Sequence, residues 1–246
     1  MKLSIIIPAY NEEDYVSQCL TSVIREKNEA GGNVEIIVVN NGSCDKTKEI
    51  ASSFAGVKVV DEPVKGLISA RQTGFRAATG DLIAYLDADS MLTPGWIDQA
   101  FKAFNKDPEM ASLSGPVKFY DMSRAFNFLT STFYYVNYPY YLFIRFFFKK
   151  GLIQGANFIL RRSALEGIGG FNPDFIFWGE DTDLAYRLSR VGKVTFSPTL
   201  LVLTSGRRFK DEGLVWLTLK YIGNYFWTIF FKKPLSKHYT DVRAPK

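Results

Sequence analysis

Leu82-Ile83-Ala84-Tyr85-Leu86-Asp87-Ala88-Asp89-Ser90 passes from five apolar residues straight into two acids. A short apolar run closed by polar residues reads as a buried strand. Successive side chains of an extended backbone point to opposite sides, so Asp87 and Asp89 face one way and small Ala88 the other. Two carboxylates at the exit of a buried strand stay ionised only where water, cations or hydrogen-bond donors meet them. Hard oxygen ligands with open positions suit Mg2+ or Mn2+ bridging two phosphates. A lone Asp-x-Asp also occurs in solvated loops and helix caps; the strand in front of it is what favours a metal here.

The chain ahead of this stretch alternates strands and helices. Residues 3–7, 35–39 and 57–60 are Ile- and Val-rich runs bounded by Asn, Gly, Asp or Pro, and so read as strands. Residues 12–25, 46–54, 67–78 and 95–105 have helical spacing, with Pro94 just ahead of the last. This alternation predicts an α/β fold in which a buried parallel sheet is covered by helices. Ligands of such folds gather at the carboxyl ends of the strands. Residues 8–12, 40–45 and 87–90 all lie at such ends, so three clusters far apart in sequence are expected along one edge.

Each cluster offers chemistry. Pro8-Ala9-Tyr10-Asn11-Glu12 is a turn in which Asn11 is a competent helix cap and Tyr10 presents an aromatic face to a base. Asn40-Asn41-Gly42-Ser43-Cys44-Asp45 ends the second strand in the same way, with Asp45 placed to cap the next helix. The side-chain amide of Asn41 donates and accepts, as reading a base edge requires. Further along, Gly179-Glu180-Asp181-Thr182-Asp183-Leu184 opens an amphipathic helix. Acids in a first turn complement the helix dipole by about 0.3–1 kcal/mol, yet three acids in four positions exceed that need. A carboxylate tuned by neighbouring acids is suited to take a proton from an acceptor hydroxyl. Asp181 and Glu180 both qualify, and position does not choose between them. Arg71 and the pair Arg207-Arg208 carry guanidinium groups suited to phosphate, although a lone arginine is as often a plain surface charge. His238 is the only histidine and lies in the tail.

Composition narrows the partners. Lys+Arg 30 against Asp+Glu 25 gives a net charge of +5, which fits phosphate-bearing ligands or an anionic membrane surface. It is too mild for nucleic-acid binding, and no basic stripe, zinc pattern or RNA-binding signature accompanies it. Cys19 and Cys44 form no CxxC pair, so a reducing cytosol is the expected compartment. The apolar run after Met1-Lys2 is too short for a signal-peptide core. Residues 123–148 are crowded with aromatics, run into Lys149-Lys150 and also carry Thr130, Ser131, Asn137 and Arg145. They fall short of the roughly 20 predominantly apolar residues of a spanning helix. Residues 213–231 come closer but contain Lys220 and Asn224. Aromatics beside lysines suit an amphipathic helix at a membrane interface, so peripheral contact at the cytoplasmic face is expected. A homo-oligomer contact would use the same surface.

Together these segments resemble the family 2 glycosyltransferases of the GT-A fold, from Leu3 to about Arg208. The resemblance is carried by 4–12, by Val38-Val39-Asn40-Asn41-Gly42-Ser43, by Ala70-Arg71-Gln72-Thr73-Gly74 and by Leu86-Asp87-Ala88-Asp89-Ser90. Gln154-Gly155-Ala156-Asn157, Gly169-Gly170-Phe171-Asn172 and the Glu180-Asp181 helix follow in the family's order. The resemblance implies a Rossmann-like mixed sheet flanked by helices, with aromatic-rich helical additions toward the carboxyl terminus. It divides the chain into a domain over 1–210, with a nucleotide-binding half (1–113) and an acceptor and catalytic half (114–210), and an amphipathic helix and tail over 211–246. It implies inverting transfer from a UDP- or GDP-sugar to a hydroxyl or phosphate of a glycan or lipid-linked acceptor, assisted by Mn2+ or Mg2+. By position, Asp89 is the direct metal ligand, with Asp87 near the metal or ribose, and Asp181 is the general base. Pro8, Ala9, Tyr10, Glu12, Asn41, Asp87 and Ala88 line the nucleoside pocket, and Arg71 lies near the diphosphate. Gln154, Gly155, Ala156, Asn157 and Trp178 are the expected contacts of donor sugar or acceptor. Two departures stand out: the usual acid of the second loop is Asn41 here, and a common metal-binding histidine is replaced by Thr204-Ser205-Gly206-Arg207-Arg208. Arg207 or Arg208 is therefore expected to share in neutralising the diphosphate.

Rival readings fail on specific grounds. A nucleotide-sugar pyrophosphorylase needs a glycine-rich loop with Arg and Lys where 8–12 stand, and dehydrogenase or kinase readings lack GxGxxG and GxxxxGK[ST]. A non-catalytic, membrane-associated nucleotide-binding scaffold would have no use for Asp87, Asp89 and Asp181 together.

Overall fold

The structure is a computed structural model, and it describes residues 1–148, 151–236, 241 and 243. Lys149, Lys150 and His238 lie outside the described residues. Strands β1 (Leu3–Ala9), β2 (Val34–Asn40), β3 (Val57–Asp61) and β4 (Leu82–Leu86) run parallel. Helices α1 (Val16–Ala30), α2 (Thr47–Ser52) and α3 (Leu67–Ala77) make the crossovers. Every residue of β1 and β4 is buried, because helices cover both faces; that is why these strands read as unbroken apolar runs.

The remaining elements are β5 (Ser90–Leu92), α4 (Trp96–Lys106), β6 (Met110–Ser114), β7 (Val117–Phe119), α5 (Arg124–Phe148), β8 (Asn157–Arg161) and α6 (Arg162–Gly167), followed by α7 (Glu180–Leu188), β9 (Lys193–Phe196), β10 (Val202–Thr204), α8 (Arg207–Glu212) and α9 (Leu214–Phe231). The main sheet has the order β3-β2-β1-β4-β8-β6-β9, and β8 runs antiparallel to both neighbours, so the sheet is mixed. A small second sheet, β5-β10-β7, stands at its edge. Alternation along β1 divides the core. Ile5 and Ile7 meet Leu20, Val23, Trp96 and Phe104 on one face. Ile6 meets Ala70 and Phe75 of α3 on the other, in a cluster that also holds Leu184 and Leu188 of α7. Gly74 permits that approach: a Cβ there would sit 2.3 Å from Ile6 Cγ2.

Register brings distant segments to one edge. Ala9 pairs with Asn40. Leu86 pairs with Asn157 in the antiparallel sense, which sets the turn ahead of β8 beside the acids that follow β4. Ser90 pairs with Thr204, which brings the segment after β10 alongside Asp89.

Local departures from the sequence reading have physical causes. Helix α1 begins at Val16 and not at residue 12, because Asn11 sits at φ 51 and its Oδ1 accepts from Cys44 N (3.0 Å), across the neighbouring loop. The side chain capable of capping is spent joining two loops. The N-cap of α2 is Lys46, one residue after Asp45, and Asp45 Oδ1 accepts from Thr47 N, the first N–H of the helix, at 2.9 Å. The glycine-punctuated stretch 151–170 contains β8 and α6, which its spacing does not announce.

Helix α9 is inside out for a water-facing helix. Leu217, Asn224 and Thr228 are buried, while Val215, Leu219, Ile222, Phe226 and Phe230 are exposed. Its contacts are with α7 and α8, and Thr228 fits against Gly179, where a Cβ would collide with the threonine hydroxyl. No helix of the described residues is long and apolar enough to cross a membrane.

Candidate active site

The carboxyl ends of β1 and β2 and the loop after β3 form a cleft lined by Pro8, Ala9, Tyr10, Asn41, Lys65 and Gly66. Pro8 and Ala9 are buried strand residues; Tyr10 is half-exposed, with Lys65 Nζ 3.9 Å from its ring centroid. The amide of Asn41 is committed to this loop. Its Nδ2 donates to the carbonyls of Glu62 (2.9 Å) and Val64 (2.8 Å), and its Oδ1 accepts from Gly66 N (2.8 Å). Asn41 thus lines the cleft by shaping the loop that carries Lys65, with its amide turned to backbone and not to a base edge.

Asp87 and Asp89 follow β4 and are both half-buried, with buried Ala88 between them. Burial, followed by the charge of Asp89, raises the Asp87 carboxyl above its ordinary range. Arg207 answers this excess of negative charge. Its Nη2 lies 3.0 Å from Asp89 Oδ2 and also contacts Glu12 Oε1. Asp121 aims the turn that carries it, accepting from Gly206 N (2.6 Å) and Ser205 Oγ (2.8 Å), and the guanidinium lies over the Tyr15 ring. Glu12 is buried and is pushed up to about 7 by that burial, against the pull of Arg243 and Arg207. Arg243 Nε also reaches Glu12 Oε1, at 3.1 Å. Among the described residues no group of three or more His, Cys, Asp or Glu side chains could hold a metal ion. An ion between Asp87 and Asp89 fits only if a bound phosphate or water completes its shell, a common arrangement for Mg2+. The donor set is what favours a cation there: two half-buried carboxylates that leave one strand end together with only Ala88 between them.

The second acidic cluster is tied to this one by a buried cation. Arg71 of α3 places Nη1 2.6 Å from Glu180 Oε1 and donates from Nη2 to the Gly155 carbonyl at 2.7 Å. Its charge acts on Asp87, Glu180 and Asp181 alike, so the three acids and Arg71 occupy one region at the sheet edge. Glu180 is buried and pushed up to about 7 by desolvation, which Arg71 opposes and Asp181 reinforces. Asp181 is half-exposed at the start of α7 and raised above its ordinary range by burial, against the Thr182 N–H and Arg71. Its Oδ1 accepts from Thr182 N at 2.7 Å, while a Cβ built on Gly155 would lie 3.7 Å from its Oδ2. The second oxygen therefore faces the turn ahead of β8.

Other residues singled out in the sequence take structural positions. Arg71 is 1% exposed and turned to protein partners. Asn157 is fully buried, its Oδ1 accepting from Trp96 Nε1 (3.1 Å) and its Nδ2 donating to the Leu200 carbonyl (2.6 Å) and the Pro116 carbonyl (3.1 Å). It joins the two sheets. Trp178 is buried edge-on against Tyr221 of α9. Gln154 accepts from Tyr134 OH, Ala156 packs beside Phe119 and Phe126, and Gly155 borders the acids. Arg208 lines the cleft while paired with Glu212 at 2.9 Å. The cleft is also lined by residues the sequence reading did not assign to the site, Lys65, Gly66, Leu67, Ala70, Phe177, Asp241 and Arg243. Lys65 follows a strand at its carboxyl end, a signal present but unused. Asp241 pairs with Lys65 at 2.7 Å, and nothing in its local sequence announces that.

The seven-stranded mixed sheet, with acids after β4 and at the start of α7, defines an α/β protein of the GT-A class. Solved structures agree on that fold. A mannosyltransferase, PcManGT, from Pyrobaculum calidifontis in complex with GDP-Man and Mn2+ matches at a TM-score of 0.65 and 20% identity, over 90% of this chain and 64% of that one. S. aureus TarS 1-349 matches at 0.64 and 15% identity, over 94% and 73%. The family model described as glycosyl transferase family 2 matches residues 4–169, and the chain belongs to that family. Its relatives include EpsH of Bacillus subtilis, 29% identical over 171 residues (67% of this chain, 48% of that protein). Glycosyltransferase AglE of Haloferax volcanii is 25% identical over 215 residues (85% and 68%). The chain spans about half the length of EpsH.

Proposed function

We propose that the protein transfers a sugar, with inversion, from a nucleoside diphosphate-sugar to an acceptor hydroxyl, with Asp181 as the base. The observation that carries this reading is the convergence of Asp87, Asp181 and Gly155 around Arg71, with the Tyr10 cleft on the same sheet edge. The nucleoside enters beside Tyr10 and displaces Lys65 from its ring. The acceptor hydroxyl gives its proton to Asp181 Oδ2 while its oxygen bonds to the anomeric carbon. The bond from that carbon to the diphosphate oxygen breaks, and the diphosphate leaves with the electron pair. A raised carboxyl, once ionised, is a better proton acceptor than an ordinary aspartate. Asp87 and Asp89 would hold Mn2+ or Mg2+ jointly with the diphosphate, where the ion would neutralise the leaving group. Arg207, already on Asp89, adds a positive charge at the same place, and Arg208 lies at the cleft wall.

The test is release of nucleoside diphosphate from UDP- and GDP-sugars with Mn2+, comparing the native chain with Asp181→Asn and Asp89→Ala. Turnover should fall about 10²–10⁴-fold in the first, with nucleotide binding kept, and both should be lost in the second. Native-level turnover in Asp181→Asn would refute the assignment.

A second reading concerns the acceptor. The exposed aromatic and aliphatic face of α9 sits on the element that contacts α7, and α5 carries its own exposed Phe128, Phe133, Tyr135 and Val136. Such a face suits the interface of a bilayer, with Lys232 and Lys233 at the end of α9 toward anionic headgroups. A lipid-linked acceptor would then meet Asp181 without leaving the membrane surface.

A further inference from the structure

We propose that Arg71 is a positioning residue for the base: it binds no part of the donor and sets Asp181 in place through Glu180 and the Gly155 turn. This rests on the glycosyl-transfer reading above and names a device within that same site.

The guanidinium is closed in on every side. It lies 5.1 Å from the Phe158 ring centroid and 5.8 Å from that of Tyr85, and the Tyr85 hydroxyl donates to the Arg71 carbonyl at 3.3 Å. Two of its nitrogens are directed at Glu180 and the Gly155 carbonyl. A diphosphate oxygen approaching it would have to displace Glu180, a partner already ionic and desolvated. Nε and Nη1 have no hydrogen-bond partner among the described residues, but at 1% exposure the guanidinium presents almost no surface to a ligand that arrives from water, and burial on the protein side is what keeps the diphosphate from it.

What the guanidinium does is join three segments that share no sequence neighbourhood: α3, the turn ahead of β8, and the first turn of α7. Gly155 makes the junction close. A Cβ there would sit 3.2 Å from Glu180 Oε1, 3.7 Å from Asp181 Oδ2 and 3.9 Å from Arg71 Nη2. Asp181 follows Glu180 directly in the chain, so the rotation of α7 that seats Glu180 on Arg71 also decides where Asp181 Oδ2 points. Lysine keeps the charge but is a single point donor and cannot span both partners as the fork does. Glu180 serves here as the handle of α7, and the glutamine side chain keeps the same shape and an acceptor oxygen.

The experiment uses the full chain with Arg71→Lys, Arg71→Met and Glu180→Gln, measuring kcat and KM for the donor with Mn2+ and titrating UDP and GDP calorimetrically. Arg71→Lys should lower kcat about 10–100-fold, a size typical of a misplaced catalytic group, with donor KM and diphosphate affinity within about 3-fold of native. Arg71→Met should be slower still, and Glu180→Gln, which leaves the fork an acceptor oxygen but no charge, should lower kcat by less than Arg71→Lys does, with donor KM within about 3-fold of native. A 10-fold loss of UDP or GDP affinity in Arg71→Lys at unchanged kcat would make Arg71 a diphosphate ligand and overturn the proposal, as would a Glu180→Gln variant as inactive as Asp181→Asn. Lowered melting temperature with native kcat would overturn it too, as a purely structural role. If Arg71→Met does not fold, the lysine and glutamine variants decide. A native chain that transfers no sugar from any donor sinks the earlier reading; a native chain that does, beside Arg71 variants of native kcat, sinks this one alone.

Discussion

Arg71 Nη1 lies 2.6 Å from Glu180 Oε1, and both side chains are shut away from solvent. Taking two charges out of water is costly, and a buried pair stands only when geometry and further hydrogen bonds repay it. Removing one partner from such a pair typically costs about 3–5 kcal/mol, so this contact carries stability as well as placement.

Gly155→Ala tests how tightly the acids are packed. The new methyl would stand 3.2 Å from Glu180 Oε1, so the carboxylate must give way by a few tenths of an ångström. Turnover is expected to fall about 10-fold or more, since small displacements of catalytic groups are expensive, while the melting temperature stays near native. Steady-state kinetics beside a thermal melt checks both; full activity would show that the turn tolerates a side chain.

Asn41→Asp should destabilise the protein although it restores the acid common in the family. The native amide donates to two carbonyls, and a carboxylate there faces oxygen against oxygen. Leaving those carbonyls unmatched is expected to cost about 1–3 kcal/mol, read as a lowered midpoint in urea. A more stable variant would mean that the loop over 62–66 is held by other means.

Glu12 gives stability a pH dependence of definite sign. Its carboxyl is raised from 4.5 to about 7 by burial, so the folded chain holds this proton more tightly than the unfolded chain does. The stability tied to it is fully present below about 4.5 and is lost as pH rises through about 7. Glu12→Gln should shrink the fall in melting temperature between pH 5 and pH 8 by several degrees, at about 2–4 °C per kcal/mol for a chain of this size. An unchanged slope would show that Arg207 and Arg243 hold Glu12 ionised.

Replacing Val215, Leu219, Ile222 and Phe226 by serine should abolish flotation with anionic vesicles and leave turnover on a water-soluble acceptor unchanged. These side chains are exposed, so the change touches no core contact. Equal flotation of native and variant chains, or none with either, removes the membrane reading; a native dimer that the variant converts to monomer assigns the face to a second copy.

How far the site was legible depends on the range of the interactions that build it. Asp87, Asp89 and Asp181 are legible as candidates because each follows a local pattern, an apolar strand or an amphipathic helix, that burial imposes on the residues beside it. Arg71 is legible by type, but a guanidinium near acids looks the same in sequence whether it meets phosphate or Glu180. Asn157 and Trp178 point inward, a matter of strand register and of α9 docking. Lys65, Asp241 and Arg243 reach the cleft through contacts spanning most of the chain.

The sequence by itself determined the strand-helix alternation, the parallel half of the sheet and the edge on which acids collect, since hydrophobic periodicity and side-chain alternation are local consequences of burial. Only the tertiary structure decided which charges pair. Desolvation and distance set that choice, and neither exists until antiparallel β8 brings the Gly155 turn beside β4 and the packing of α7 seats Glu180 on Arg71.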